Sequence, residues 1–155
     1  MTIFEQLMQE APVPVKYADL PARIRGLYFE VKTGQARILL NKKLNSMAEK
    51  ASILAEELGH HYTSAGNIMD LTDIRNRKQE LRAREWAYRR LVPLEKIVEA
   101  YHEGITNRHE LAEYLGVTEE FLLAALKRYK EKHGLYAVVD KHAIYFDPLA
   151  VAELF

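Results

Sequence analysis

Residues 53–64, ILAEELGHHYTS, place paired carboxylates and imidazoles on one helix, and no other feature constrains the fold as much. The helix opens at Ser46, where Ser46 and Glu49, three residues apart, read as a capping box. Ala48, Ala51, Ile53, Leu54, Ala55 and Leu58 then supply an apolar stripe, so the pattern predicts a helix from Ser46 to about Tyr62. Residues four apart share a helix face, so Glu56 points with His60, and Glu57 with His61.

Zinc sites of the H-E-x-x-H type use this geometry: two ligands at i and i+4 hold the metal, and the Glu at i+1 works on water. Here the string is E-E-L-G-H. Glu57 and His60 occupy the expected slots, and Glu56 stands where the first histidine would be. A carboxylate is an acceptable zinc ligand. The same string on an amphipathic helix also reads as a solvated polar face with i,i+4 pairing.

The rest of the chain reads as one small domain, or one with an appendage, at 155 residues. With 48% hydrophobic and 28% charged residues it can build a core, which rules out bulk disorder. Thr2 to Glu10 reads as a short helix ended by an extended link at Pro12 and Pro14. Residues 27–40 read as a hairpin turning at Lys32-Thr33-Gly34-Gln35, and 41–45 as a polar connection. Residues 63–67, TSAGN, break the Ser46 helix, and another helix runs from Leu71 or Arg77 to Leu91, ending at Pro93. Further helices are predicted over Leu94–Tyr101, Asn107–Tyr114 and Thr118–Lys130, with a tight turn at 115–117. Leu135–Val139 and Ala143–Phe146 read as a hairpin turning at Asp140-Lys141.

Lysine plus arginine equal aspartate plus glutamate at 22 each, so no chain-wide basic field exists for nucleic acid or an acidic membrane. The absence of cysteine excludes thiol nucleophiles and Cys-based zinc sites and fits a reducing cytoplasm. The amino terminus lacks a signal-peptide pattern, and no apolar run approaches a membrane span, so a soluble cytoplasmic protein is expected. His102, His109, His133 and His142 lack paired ligand spacing and read as surface or hairpin residues. Trp86 reads as core packing.

Residues 109–129 resemble a helix-turn-helix with the 135–146 hairpin as a wing. Charge argues against DNA: residues 94–133 carry eight acidic against six basic side chains, and Glu119 and Glu120 lead the supposed recognition helix. Between Leu71 and Arg90 there are seven basic and three acidic residues, and that run reads as the outer face of one helix.

LAEELGHHYTS followed by NRKQELRAREWAYRRLVP resembles the ImmA/IrrE family of metallopeptidases from bacteria and their mobile elements. In that family a helix bearing HELGH precedes a second helix with a Glu ligand, an A-x-x-[FW]-A run and an L-x-P end. Here the run is Ala83-Arg84-Glu85-Trp86-Ala87, ending in Leu91-Val92-Pro93, and the resemblance covers roughly residues 10–95. Alignment on that run puts Arg82, which cannot bind zinc, at the usual Glu slot. Glu80 shares the inward face with Ala83, Ala87 and Leu91 and is the expected third ligand, with Glu85 as fallback. His61 is a further candidate if the helix is rotated.

The resemblance implies that Glu56, His60 and Glu80 hold Zn²⁺, with one position left for water. Glu57 would be the base that takes that water's proton and returns it to the leaving amine. Tyr62, His61 and Arg82 are candidate oxyanion donors. The expected fold is α+β: a reduced zincin-like unit with a small antiparallel sheet over 1–93, then a helical part with a terminal hairpin over 94–155. The implied function is a zinc endopeptidase that cleaves a helix-turn-helix repressor of a prophage or mobile element. Two alternatives stand beside it, an inactive protein-binding regulator on the same fold and a DNA-binding regulator.

Overall fold

The computed structural model describes residues 1–30, 34–63 and 74–154, and divides the chain into two compact units, Met1–Ala87 and Tyr88–Phe155. The first carries α1 (Ile3–Glu10), β1 (Val15–Ala18), β2 (Gly26–Glu30), β3 (Ala36–Asn41), α2 (Met47–Thr63) and most of α3 (Ile74–Leu91). The second carries the end of α3, then α4 (Leu94–His102), α5 (Arg108–Leu115), α6 (Glu119–His133), β4 (Tyr136–Val139), β5 (His142–Phe146) and β6 (Leu149–Glu153). The class is α+β. None of the described helices is long and apolar enough to cross a membrane.

In the first unit the sheet order is β1-β3-β2, with β3 central and its Ala36, Ile38 and Leu40 buried. The expectation of an antiparallel sheet is corrected here: β2 pairs antiparallel with β3, but β1 runs parallel to it, Val15 opposite Ile38. The segment after Pro14, read as an extended link, is therefore an edge strand. Its burial does not alternate, so no period-2 signal marks it, and its partner lies far along the chain. A proline just ahead of an edge strand costs no ladder bond. The expected turn residues Lys32 and Thr33 lie outside the described residues.

Asn41, at the end of β3, is more than a polar connection. Its buried amide donates to the carbonyls of Leu20, Pro21 and Ile24 at 3.0, 3.2 and 2.8 Å, and its Oδ1 accepts from Lys43 N at 3.0 Å. One side chain thus shapes the loop that delivers the chain into β2. The start of α2 follows the sequence reading: Ser46 Oγ accepts from Glu49 N at 3.1 Å. Glu49 reaches back to Asn45 N at 3.4 Å, one residue before the cap. Ser64 to Asn67, expected to break this helix, and Leu71, one expected start of α3, lie outside the described residues.

In the second unit, local signals set the helix boundaries. Asn107 Oδ1 and Thr118 Oγ1 cap α5 and α6 by accepting from Glu110 N at 2.8 Å and Phe121 N at 3.0 Å. Gly116, at φ 76°, ends α5 in the left-handed conformation. The terminal hairpin is corrected to a three-stranded meander, order β4-β5-β6. The missed strand, LAVAE, is alanine-rich and weak in intrinsic strand preference, and its pairing with β5 settles it. Leu122, Ala125 and Ile144 are buried in this unit's core.

Candidate active site

Two helices of the first unit supply the expected site residues. Leu54, Ala55 and Leu58 are buried along α2, which turns Glu56, Glu57 and His60 toward partly enclosed positions. His60 is 8% exposed, so the reading of this string as a solvated polar face fails at that residue. Its Nε2 lies 3.0 Å from Glu80 Oε2 on α3. The other Glu80 oxygen, Oε1, lies 3.5 Å from Arg84 Nε, one turn further along α3.

A glycine makes this approach. A Cβ on Gly59 would overlap the Ala83 carbonyl oxygen and stand 2.8 Å from its carbonyl carbon. The helices can meet there only where one has no side chain. Gly26 on β2 plays a related part, because a Cβ there would stand 2.6 Å from Ile53 Cγ2 and 3.1 Å from Glu57 Cγ. The Glu57 side chain is thus packed over bare backbone of β2.

Glu57 Oε2 is buried and, among the described residues, has no hydrogen-bond partner. Burial pushes the Glu57 carboxyl up to about 7, with His60 pulling it down and Glu56 and Glu80 adding to the rise. Glu56 is raised too, first by burial, which outweighs the pull of Arg84, His60 and Arg25. At His60, burial favours the neutral ring, but the Glu80 hydrogen bond and the carboxylates around it win, and its pKa is raised. Glu80 is lowered, chiefly by its hydrogen bond to His60. Three carboxyls thus act on one imidazole.

Tyr28, on β2, went unnoticed in the sequence. Its ring stacks on His60 with centroids 6.5 Å apart and planes 9° from parallel. Its hydroxyl donates to Glu30 Oε1 at 3.2 Å and lies 3.1 Å from His61 Nδ1. Burial and the Glu30 charge push its pKa up to about 12. A tyrosine in a short strand carries no signal of this role, which arises only once β2 packs against α2.

The remaining expected residues are placed as follows. His61 is half-buried against Tyr28, and Tyr62 is half exposed and stacked on Trp86, centroids 4.9 Å apart. Arg82 is exposed and Glu85 half-buried on α3. Among the described residues, the trio whose ligand atoms all lie within 4.8 Å of one another is His102, His142 and Glu153, in the second unit. Glu56, His60 and Glu80 do not meet that spacing together. His102 is exposed at the end of α4 and His142 opens β5, so they are the surface and hairpin residues expected, and their Nε2 atoms lie 3.0 Å apart.

The donors on α2 and α3 fit a divalent cation in kind, an imidazole nitrogen with carboxylate oxygens. The spacing of His60 and Glu80, 3.0 Å, is close to the ~3.3 Å edge that two ligands span on a tetrahedral ion with bonds of ~2.0 Å. It is equally the length of an ordinary hydrogen bond.

The family model described as the IrrE N-terminal-like domain matches residues 8–127. No curated protein matches the chain. The match extends past both helices of the site and well into the second unit. On that match, the chain belongs to the IrrE N-terminal-like peptidase family and has its metallopeptidase-like fold.

Proposed function

We propose that the chain is a zinc-dependent endopeptidase whose centre is His60 and Glu80, completed by Glu56, with Glu57 as general base. The observation that carries this reading is the apposition of buried His60 and half-buried Glu80 across two helices, beside a carboxyl with an unpartnered oxygen. When bound there, zinc supplies Lewis acidity toward a peptide carbonyl and toward water. Glu57, raised toward neutral pH by burial, is matched to accepting a proton and giving it to the departing amine. Tyr28 orients the histidine pair, one ring by stacking and the other by a hydrogen bond. His61, Tyr62 and Arg82 are the candidate donors from which an oxyanion partner would come.

The proposed substrate is a helix-turn-helix repressor of a prophage or mobile element, cleaved in the cytoplasm to relieve repression. This rests on the family and on the cysteine-free composition. The test has two arms. Zinc content is measured on untagged protein prepared without chelator, beside His60→Ala and Glu80→Ala. A panel of purified repressors is then incubated with the chain and with Glu57→Gln. One zinc per chain fewer in both variants than in the parent, with a repressor fragment absent for Glu57→Gln, supports the reading. Zinc content unchanged by either substitution sinks it.

A second reading has its own support. His60 Nε2 already has Glu80 as its partner, and Glu56 does not close a three-ligand cluster with them. An inactive protein-binding regulator on this fold would show repressor binding that Glu57→Gln leaves intact, with no fragment from either form.

A further inference from the structure

We propose that His102, His142 and Glu153 form a second divalent-metal site, of the zinc class, within the carboxyl-terminal unit. The three side chains come from separate elements: the last turn of α4, the first residue of β5 and the last of β6. His142 and Glu153 are directly paired across the β5–β6 ladder. His102 Nε2 and His142 Nε2 lie 3.0 Å apart, with their rings nearly perpendicular at 86°. One ligand atom from each residue falls within 4.8 Å of the other two. The Tyr101 ring stands edge-on to both histidines, 5.4 and 6.4 Å away, as one wall of the cluster.

Two imidazole nitrogens and one carboxylate oxygen suit zinc and neighbouring first-row divalent ions, and not the hard oxygen-seeking cations. Three protein ligands leave room for water. The carbonyl end of α4 adds its negative pole beside His102. His142 Nδ1 is buried and has no hydrogen-bond partner among the described residues. A ligating histidine is ordinarily steadied by an acceptor at its second nitrogen, so its absence makes this a weaker site than one with that support. A bound ion would tie the end of α4 to the two strands. The ligands lie 40 and 11 residues apart, so no local motif announces them.

The test keeps the two centres apart. Untagged chain of 155 residues carrying His60→Ala and Glu80→Ala is stripped with chelator and titrated with Zn²⁺. The stoichiometry is read by native mass spectrometry, and the affinity by competition with a chromogenic chelator. The expected result is one zinc per chain, weakened tenfold or more by His102→Ala and by Glu153→Gln. Both of those residues are exposed, so their replacement leaves the fold in place. Melting curves should show a zinc-dependent rise in Tm that His102→Ala abolishes. Absence of zinc binding by the doubly substituted chain overturns the proposal, as does binding that His102→Ala and Glu153→Gln leave unchanged. Neither result bears on the His60–Glu80 centre, whose ligands are absent from that protein.

Discussion

His60 on α2 and Glu80 on α3 meet at 3.0 Å because Gly59 lets the two helices approach beside them. His60 and Gly59 are adjacent in sequence but act through different physics. His60 contributes a donor atom, and Gly59 contributes the absence of a side chain. The chemistry of the site therefore rests on a packing contact.

Gly59→Ala is expected to destabilise the protein. Alanine gains about 1 kcal/mol in helix preference over glycine. Against that, its methyl would overlap the Ala83 carbonyl, and backbone on a packed helix yields at a cost of roughly 1–3 kcal/mol or more. Urea unfolding should show a lower midpoint, and any retained zinc should fall with it. An unchanged or higher midpoint would refute the close approach.

The metal-free protein should be most stable in mildly acidic solution. Glu80 is lowered from 4.5, so its pairing contributes above that pH and is lost as pH falls through the folded value. His60 is raised from 6.5, so its contribution is complete below that pH and is lost as pH rises through the folded value. Glu57, raised from 4.5 to about 7, weakens the fold increasingly between those limits, and Glu56 acts in the same sense. Tm measured in chelator should be highest near pH 4.5 and decline from there toward pH 8. A Tm that climbs steadily to pH 8 would contradict this.

Glu57→Gln should separate stability from activity. Replacing a buried carboxylate by a neutral amide removes its desolvation cost, on the order of 2–3 kcal/mol at pH 8 for the metal-free chain. Removing a general base should slow cleavage by about 10²–10⁴-fold. Calorimetry and a cleavage assay on one preparation would check both. A less stable variant would show that Glu57 has a stabilising partner.

Asn41→Ala should cost about 2–4 kcal/mol, because it strips hydrogen bonds from three loop carbonyls at once and empties a buried position. The loop from Leu20 to Ile24 leads into Gly26, over which Glu57 packs, so cleavage should fall with stability. Hydrogen exchange would show faster opening of Tyr28 and its neighbours. Unchanged exchange there would remove the link between the loop and the site.

What the sequence determined by itself was local. The Ser46 cap, the apolar stripe on α2 and the caps at Asn107 and Thr118 are read within four residues of the groups they satisfy. For that reason the helices and the i,i+4 carboxylate–histidine face were legible, and so was the family. Only tertiary structure decided the rest. Val15 pairs in parallel with Ile38, Tyr28 stacks under His60, and His102 meets His142 across forty residues. Each of these contacts joins elements whose separation along the chain carries no period, cap or turn. Their energy comes from burial and hydrogen bonding that exist only after the elements have packed.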